Sequence, residues 1–232
     1  MGLLVYDSSP VVAVPTASNA WGALTDIYIP KIPWRGFKVL SQQQSGSYTT
    51  TIQLYLDGAA FGPLLASDGA PDQSWEYYMP FNVAPGAQLA AECWYNTTNP
   101  PNCNIQLIGL SEPEFPGIVG CEQFGIVAGT ANVVCTASAW TQIGGILPSL
   151  PIKRIRINAQ QPTAAQGQTF NFGIGPTSTS IVTLLSNLPY GNGTTAYGWT
   201  SHRFKADFPG NGNYLWIYNN GGTLSANIFA YY

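Results

Sequence analysis

The sequence contains few charged side chains, which make up 8% of its 232 residues. An average soluble domain has about 25%. The formal net charge is −3, and His202 is the only histidine. The broad positive surface that binds nucleic acid is therefore missing, and we expect no nucleic-acid partner. One histidine and no Cys-x-x-Cys spacing also argue against a structural zinc site.

Long apolar runs are missing as well. No stretch approaches the roughly 18 apolar residues that a membrane helix requires, so we expect no membrane partner. The first residues, 1–7, lack a basic start, a long apolar region and a small-residue cleavage site. They do not have the pattern of a signal peptide.

Helix signals are nearly absent too. Apolar and polar residues alternate with period two, and Gly, Pro and Asn clusters interrupt them every eight to twelve residues or so, which is typical of a sandwich or barrel. We predict an all-β protein. The predicted strands lie near residues 3–7, 11–14, 23–29, 37–44, 50–56, 74–81, 88–95 and 104–110, and then near 122–128, 131–135, 141–147, 152–160, 169–174, 180–185, 201–208, 213–218 and 224–232. Eight short strands in the first half suit a jelly roll.

One stretch of the chain occurs twice. Thr16-Ala17-Ser18-Asn19-Ala20-Trp21 is followed by two Ile-Pro pairs, an alternating strand and a Gln-Gln end, and Thr136-Ala137-Ser138-Ala139-Trp140 begins a similar series about 120 residues later. That spacing is about the size of one small domain. Two prolines and a glycine at residues 113–117 indicate a short, stiff linker. We predict two tandem, internally duplicated, jelly-roll-like β-sandwich domains, at residues 1–116 and 117–232.

The two halves differ in charge. Residues 1–116 hold nine acids and three bases, whereas residues 117–232 hold two acids and five bases. Their formal charges are −6 and +3. Two related halves of opposite sign are suited to a head-to-tail contact between copies, although drift on two solvated surfaces gives the same pattern.

Two strands of the second half present candidate interface residues. In residues 153–158, Ile155 and Ile157 are expected to face inward, and Arg154 and Arg156 outward. In residues 213–218, one face carries Tyr214, Trp216 and Tyr218. Such rings stack on sugars or bases. Packing between subunits or in the sandwich core, with Leu215 and Ile217 on the outside, is the interpretation that we favour.

The four cysteines fall into two local pairs, Cys93 with Cys103 and Cys121 with Cys135. The first pair flanks a turn at residues 96–102, so a disulfide across that hairpin is geometrically possible. Buried free thiols are the alternative, and a reducing cytosol favours them.

Residues suited to catalysis are scarce. Ser201 and Asp207 lie near His202, but neighbours on one strand do not form a catalytic triad. Asp68, Asp72 and Glu76 lie close in sequence and are the only acids that we nominate for calcium binding or glycoside cleavage. Their spacing fits no calcium loop. We therefore predict neither an enzyme nor a cofactor or metal.

Two further segments resemble a known group of proteins. Asn171-Phe172-Gly173-Ile174-Gly175, followed by the apolar pairs Ile181-Val182 and Leu184-Leu185, resembles an Ile-Gly-x-Gly segment of β-sandwich structural proteins of tailed bacteriophages. The run from Met79 to Ala91 is similar to the later Pro, Pro-x-Gly and Ala-Ala segment of those proteins, and the Thr-Ala-Ser/Trp lead matches their start. Each half keeps only part of this pattern: the first has residues 54–58 where the glycine-rich segment is expected, and the second shortens the Pro-Gly segment to 208–210.

The resemblance implies a component of the virion, assembled in the host cytoplasm, and it carries no catalytic residues. We expect a capsid decoration protein or a head or tail accessory protein that contacts copies of itself and other virion proteins. Two alternatives stay open. One is a carbohydrate- or receptor-binding module of a fibre, with a host surface glycan as partner, and the other is a minimal double jelly-roll capsid protein.

Overall fold

The computed structural model describes residues 6–43, 50–67, 75–95, 102–126, 133–161, 168–190 and 198–232. These residues form twenty β-strands, and none of them is helical. Within the same ranges, no helix is long and apolar enough to cross a membrane. The protein is therefore all-β, as predicted from the alternating pattern.

The chain folds into two compact units, and among the described residues the first extends to Glu122 and the second begins at Gln123. The division falls within the strand Cys121–Phe124, which pairs with a strand of the second unit and is described with it. The predicted linker, 111–117, contains no strand. That the duplicated domains meet near Pro116, at residues 1–116 and 117–232, stays a prediction. The strands up to this point are β1 (Tyr6–Ser8), β2 (Val12–Val14), β3 (Thr16–Ser18), β4 (Ala20–Trp21), β5 (Thr25–Tyr28), β6 (Gly36–Gln43), β7 (Thr50–Leu56), β8 (Ala59–Ser67), β9 (Trp75–Met79), β10 (Leu89–Tyr95) and β11 (Cys103–Leu110).

The first unit consists of two sheets. One has the order β1-β11-β6-β9, with β2 also paired to β11, and the other has the order β3-β4-β10-β7-β8, with β5 also paired to β10. Contacts between the sheets show that they pack face to face. The rings of Phe37 on β6 and Phe61 on β8 stack at 6.2 Å, and the Tyr77 hydroxyl on β9 donates to the carbonyl of Ala66 on β8 at 2.7 Å.

The second unit repeats this arrangement. One sheet has the order β12-β20-β15-β18, with β13 also paired to β20, and the other has the order β14-β19-β16-β17. Strands β6 to β11 therefore correspond one by one to β15 to β20. Both units have the strand order of a jelly roll. The strands are β12 (Cys121–Phe124), β13 (Val133–Cys135), β14 (Trp140–Ile143), β15 (Ile152–Gln161), β16 (Thr169–Gly175), β17 (Val182–Pro189), β18 (Gly198–Phe208), β19 (Tyr214–Asn219) and β20 (Leu224–Tyr231).

Alternation along each strand builds the cores. In the first unit Ile52 and Leu54 are at most 1% exposed, whereas Gln53 between them is only half-buried. In the second unit Ile155 and Ile157 lie in the buried core, as expected from their register. Members of that core from the facing sheet are Phe170, Phe172, Leu215 and Ile217.

The repeated Thr-Ala-Ser/Trp lead has the same local structure in both units. Asn19 and Ser138 both adopt left-handed backbone conformations, with φ of 52° and 56°. Their amides donate to the carbonyls of Tyr95 and Asn219, each at 2.7 Å. The tryptophan that follows packs edge-on against a ring of the neighbouring strand, Trp21 against Trp94 and Trp140 against Tyr218. The lead therefore fixes the first edge of one sheet in each unit.

The sequence prediction missed strand β8. Asp57 and Gly58 form a two-residue hairpin turn with φ of 49° and 79°, so β8 follows β7 directly. Asp-Gly is a strong signal for such a turn. Gly62 and Pro63 obscured the strand that follows, but β8 pairs only with β7 among the described strands, and an edge strand tolerates proline.

We expect Ile217→Ala to lower the free energy of unfolding by about 2–5 kcal/mol, because it removes buried methyl groups and leaves a cavity. Ile217 is 0% exposed. Ile146 is 54% exposed, and Ile146→Ala is the matched control, expected to change stability by no more than about 0.5 kcal/mol. Urea denaturation followed by tryptophan fluorescence measures both variants. Equal losses would contradict the assignment of Ile217 to the core.

Candidate functional site

The aromatic row on β19 faces away from the core of the second unit. Leu215 and Ile217 are both 0% exposed and belong to the core, so the part of the prediction that placed the rings in the core was wrong. Packing of these rings between subunits stays a prediction. Tyr214, Trp216 and Tyr218 lie on the opposite face of the sheet, and Trp140 on β14 packs against Tyr218. Successive side chains of a strand point to opposite faces of the sheet. Because the aliphatic residues of β19 occupy the inner face, its aromatic residues lie on the outer face.

Trp216 is nevertheless only 6% exposed. Its indole N–H donates to the carbonyl of Gly175 at 2.9 Å, and the Tyr214 ring packs edge-on against it. Gly173 lies opposite Trp216 on β16, where a Cβ atom would approach Ile181 to 2.6 Å and the Trp140 ring to 3.2 Å. The glycine of the Ile-Gly-x-Gly segment therefore permits close packing, and the face of Trp216 is not open to a sugar ring.

Arg156 is turned away from the core, as expected, but it is only 7% exposed. Its Nε donates to Asn158 Oδ1 at 3.0 Å and to Ser201 Oγ at 2.9 Å. Asn158 in turn donates to Asn227 Oδ1 at 2.7 Å, and Gln123 donates to the same oxygen at 2.9 Å. Because these side chains lie on β12, β20, β15 and β18, a row of polar groups crosses the whole sheet. Arg154 is half-buried. Contacts of both arginines with other copies stay a prediction.

All four cysteines are free thiols in the structure. Cys93 on β10 and Cys103 on β11 are both 0% exposed, and their side chains hydrogen-bond to each other between the two sheets of the first unit. Burial raises the pKa of the Cys93 and Cys121 thiols well above 9, and it raises the pKa of Cys135 to about 12. These thiols are therefore protonated and unreactive near neutral pH. Of the two alternatives for these pairs, disulfides or buried free thiols, free thiols are the one that we predict.

His202 makes a structural contact, and the bonds of Ser201 and Asp207 that are described below go to other residues. Its Nε2 lies 2.7 Å from the carbonyl of Pro189, and its ring packs against Phe170 and Phe204. A carbonyl only accepts, so Nε2 carries the proton. Ser201 bonds to the polar row and Asp207 pairs with Lys153 at 3.0 Å. The histidine therefore joins the end of β17 to β18.

The three carboxylates nominated for calcium or glycoside chemistry are only partly described. Asp68 and Asp72 lie outside the described residues. Glu76 accepts from Lys38 at 3.1 Å, and Lys38 also lies 3.3 Å from Glu114. Among the described residues, no three His, Cys, Asp or Glu side chains form a group that could hold a metal ion.

The second unit has an open groove between two strands that belong to different sheets. This β17–β18 groove has a volume of about 500 Å³. Its floor is formed by Ile155 and Phe172, and the His202–Pro189 contact lies at the far end of the same two strands. The residues of its walls and rim are Leu184, Leu185, Arg203, Phe204, Lys205, Ala206, Asp207 and Phe208.

The groove was not predicted from the sequence. The apolar pairs Ile181-Val182 and Leu184-Leu185 were noted only as part of a motif, and their pattern is also that of a buried strand. In the structure Val182 is 63% and Leu184 is 39% exposed. The exposure of this strand depends on what lies beside it in the fold, and no local sequence signal reports that.

Comparisons with known proteins assign no family. No protein-family model and no curated protein matches the chain. A chain from the atomic structure of Sulfolobus Turreted Icosahedral Virus is similar over 100% of this chain and 91% of that chain, with 10% identity and a TM-score of 0.49. The major capsid protein P2 from bacteriophage PM2 is similar over 98% of both chains, with 9% identity and a TM-score of 0.46.

A tandem carbohydrate-binding-module structure, CBM22-1–CBM22-2 of Xyn10C from Paenibacillus barcinonensis, is also similar. The similarity covers 97% of this chain and 92% of that chain, with 11% identity and a TM-score of 0.32. All three TM-scores lie below 0.5. These likenesses carry no argument about the role of this protein, and the all-β fold stands on its own strands and sheets.

We expect the native protein to react with a thiol reagent such as DTNB very slowly at pH 8, and to release four equivalents of thiol per chain in denaturant. The raised pKa of Cys135 also predicts a pH effect. The unfolded thiol loses its proton near pH 9 and the folded thiol near pH 12, so its contribution to stability is complete below pH 9 and is lost between these values. Cys135→Ala should reduce that loss. Fewer than four thiols in non-reducing denaturant would contradict the free-thiol state.

We expect Trp216→Ala to lower the free energy of unfolding by about 3–5 kcal/mol, since a buried ring is removed. Trp216→Phe, which keeps an aromatic ring but not the bond to Gly175, should cost less. Binding to a glycan array separates this structural role from a carbohydrate platform. Glycan binding lost in a stably folded Trp216→Ala variant and kept in Arg154→Ala would contradict the structural role.

Proposed function

We propose that this protein is a non-enzymatic structural component of a virus particle, in which many copies assemble through the faces and edges of their sandwiches. The observation that carries the proposal is the tandem repeat of one jelly-roll strand order in a single chain. The weakly charged composition and the resemblance of short motifs to phage structural proteins support it. Fold alone does not determine function, so the assembly itself has to be measured.

Among the roles left open by the sequence, we infer that a shell subunit of the double jelly-roll type fits better than a decoration or accessory protein. Both units have the same complete jelly-roll strand order within one chain of 232 residues. The chain is therefore long enough for two jelly rolls. A shell also requires each copy to make several contacts, and two units provide more faces than one.

The fibre module that binds a host glycan is less well supported. The candidate sugar-binding surface for such a module is the aromatic row on β19. Its Trp216 is only 6% exposed and donates a hydrogen bond to the carbonyl of Gly175. Sugar-binding rings have to present an open face. Half-buried Tyr218 and Trp140 remain on the same side of the sheet, but they pack against each other.

The shell role is tested with purified recombinant protein. Light scattering after size-exclusion chromatography is expected to show oligomers of the 24.9 kDa chain, and negative-stain electron microscopy is expected to show closed or extended arrays. If the protein stays monomeric at the highest concentration at which it is soluble, and binds no viral particle that lacks it, the proposal fails. Binding to the outside of preformed particles without self-assembly would instead support the decoration role.

A further inference from the structure

The two units provide an internal comparison for the β17–β18 groove. In each unit, a side chain on the edge strand of one sheet bonds to a carbonyl on the edge strand of the other. Tyr77 donates to Ala66 in the first unit, and His202 contacts Pro189 in the second. Beyond this link the units differ, because the first is filled by aromatic rings whereas the second leaves about 500 Å³ open.

Strand pairing identifies the residue that makes the difference. In the first unit Leu54 pairs with Phe61, and in the second the corresponding pair is Ile174 with Val182. The Phe61 ring lies 6.2 Å from Phe37 and 5.1 Å from Phe81, and so closes the space between the sheets. Val182, at the position of Phe61, is 63% exposed and does not line the groove. The open groove is therefore a local difference between two otherwise matching scaffolds.

The strand beside the groove is unprotected. Strand β17 has the sequence Val-Thr-Leu-Leu-Ser-Asn-Leu-Pro, and most of its residues are exposed. It contains none of the charged side chains that normally discourage pairing or packing at a sheet edge. An exposed apolar strand beside an apolar groove marks a surface that becomes buried by a partner.

The charges on the groove indicate what that partner is. Arg203 and Lys205 are exposed on β18, whereas Asp207 on the same side is paired with Lys153. The rim is therefore positive. The first half of the chain has a formal charge of −6, from nine acids and three bases. Within the first unit, exposed Asp26 on β5 lies between two exposed aliphatic residues, Leu24 and Ile29, which are 47% and 55% exposed.

We propose that the β17–β18 groove binds the first unit of a second copy of this chain, through the edge segment 24–29. Leu24 or Ile29 enters the groove where Phe61 fills the equivalent space of the first unit, and Asp26 faces Arg203 and Lys205. This inference rests on the proposed assembly function and names one of its contacts. Such a contact uses two different surfaces, so it joins copies head to tail into a ring or an extended array.

The direct test is a substitution that fills the groove with a larger side chain of the same chain. Leu185→Phe adds a ring to the wall of the groove, and we expect the variant to fold with an unchanged or higher melting temperature. We expect self-association, measured by sedimentation velocity, to weaken about tenfold or more, the size typical of losing a buried anchor at an interface. Thr183→Ser, on the exposed outer side of β17, is the control and should associate like the wild type.

A charge-reversal test does not depend on the packing of the core. Lys205→Glu should weaken association, and Asp26→Lys combined with it should restore association, because the two charges then attract again. Arg35→Glu is the matched control, since it reverses an exposed charge of the first unit outside the segment and should not weaken association. Double-mutant analysis of Lys205 with Asp26 gives the coupling.

The outcomes separate this inference from the proposed function. If the wild type assembles and both Leu185→Phe and Lys205→Glu assemble equally well, the groove contact is wrong and the structural role stands. If Lys205→Glu weakens association but Asp26→Lys fails to restore it, the groove does not bind segment 24–29 and the inference is also wrong. A monomeric wild type overturns both proposals. A groove that instead binds a soluble oligosaccharide, with binding lost in Leu185→Phe, overturns the choice of a second copy as partner.

Discussion

The structure depends on one constraint, which is that each sheet must bury one of its two faces against the sheet opposite. A strand alternates its side chains between faces, so the aliphatic residues of period two decide which face is inside. Ile155 and Ile157 on one sheet meet Phe172 and Ile217 on the other in this way. Every other feature of the surface follows, because whatever stands between the core positions is turned outward. The arginines and the aromatic row of the second unit are placed by this rule.

The same rule explains how far the sequence predicts the fold. Strand Thr50–Leu56 and the register of β15 were predicted because their alternation is regular. Strand β8 was missed because Gly62 and Pro63 interrupt it, although the Asp57-Gly58 turn before it was a clear signal. The sequence of β19 alternates aliphatic with aromatic residues, so both of its faces are apolar and periodicity cannot choose between them. The facing sheet determines which face of β19 is buried, and the local sequence carries no information about that sheet.

The surface was harder to predict than the core. Arg156 faces outward as expected, but it is only 7% exposed, and it forms hydrogen bonds to Asn158 and Ser201. Strand β20 is buried at all eight positions, so the outer face of its sheet is covered as well as the inner one. Alternation reports only which side of a sheet a residue occupies. Whether that side meets solvent depends on the rest of the fold.

Comparison of the two duplicated units shows which features the fold requires and which can differ. Both units keep the left-handed residue and tryptophan of the lead and the same strand order, because these fix the edges and the sheets. They differ where the Phe61 ring closes one sandwich and the β17–β18 groove leaves the other open. Changes in the core would cost stability in either copy, whereas changes at the edge strands are tolerated by the scaffold.

The scarcity of charge fits this division of roles. Most of the polar groups that cross the sheet of the second unit are neutral: Gln123, Asn227, Asn158 and Ser201 form hydrogen bonds along the row, and Arg156 donates to the last two. Burying a neutral, hydrogen-bonded amide costs far less than burying an ion. The row is therefore buried within the chain, with Asn158 and Asn227 0% exposed, at little desolvation cost. In the assembly that we propose, the few exposed charges select which surfaces meet, since unlike charges attract across an interface and like charges exclude the wrong partner.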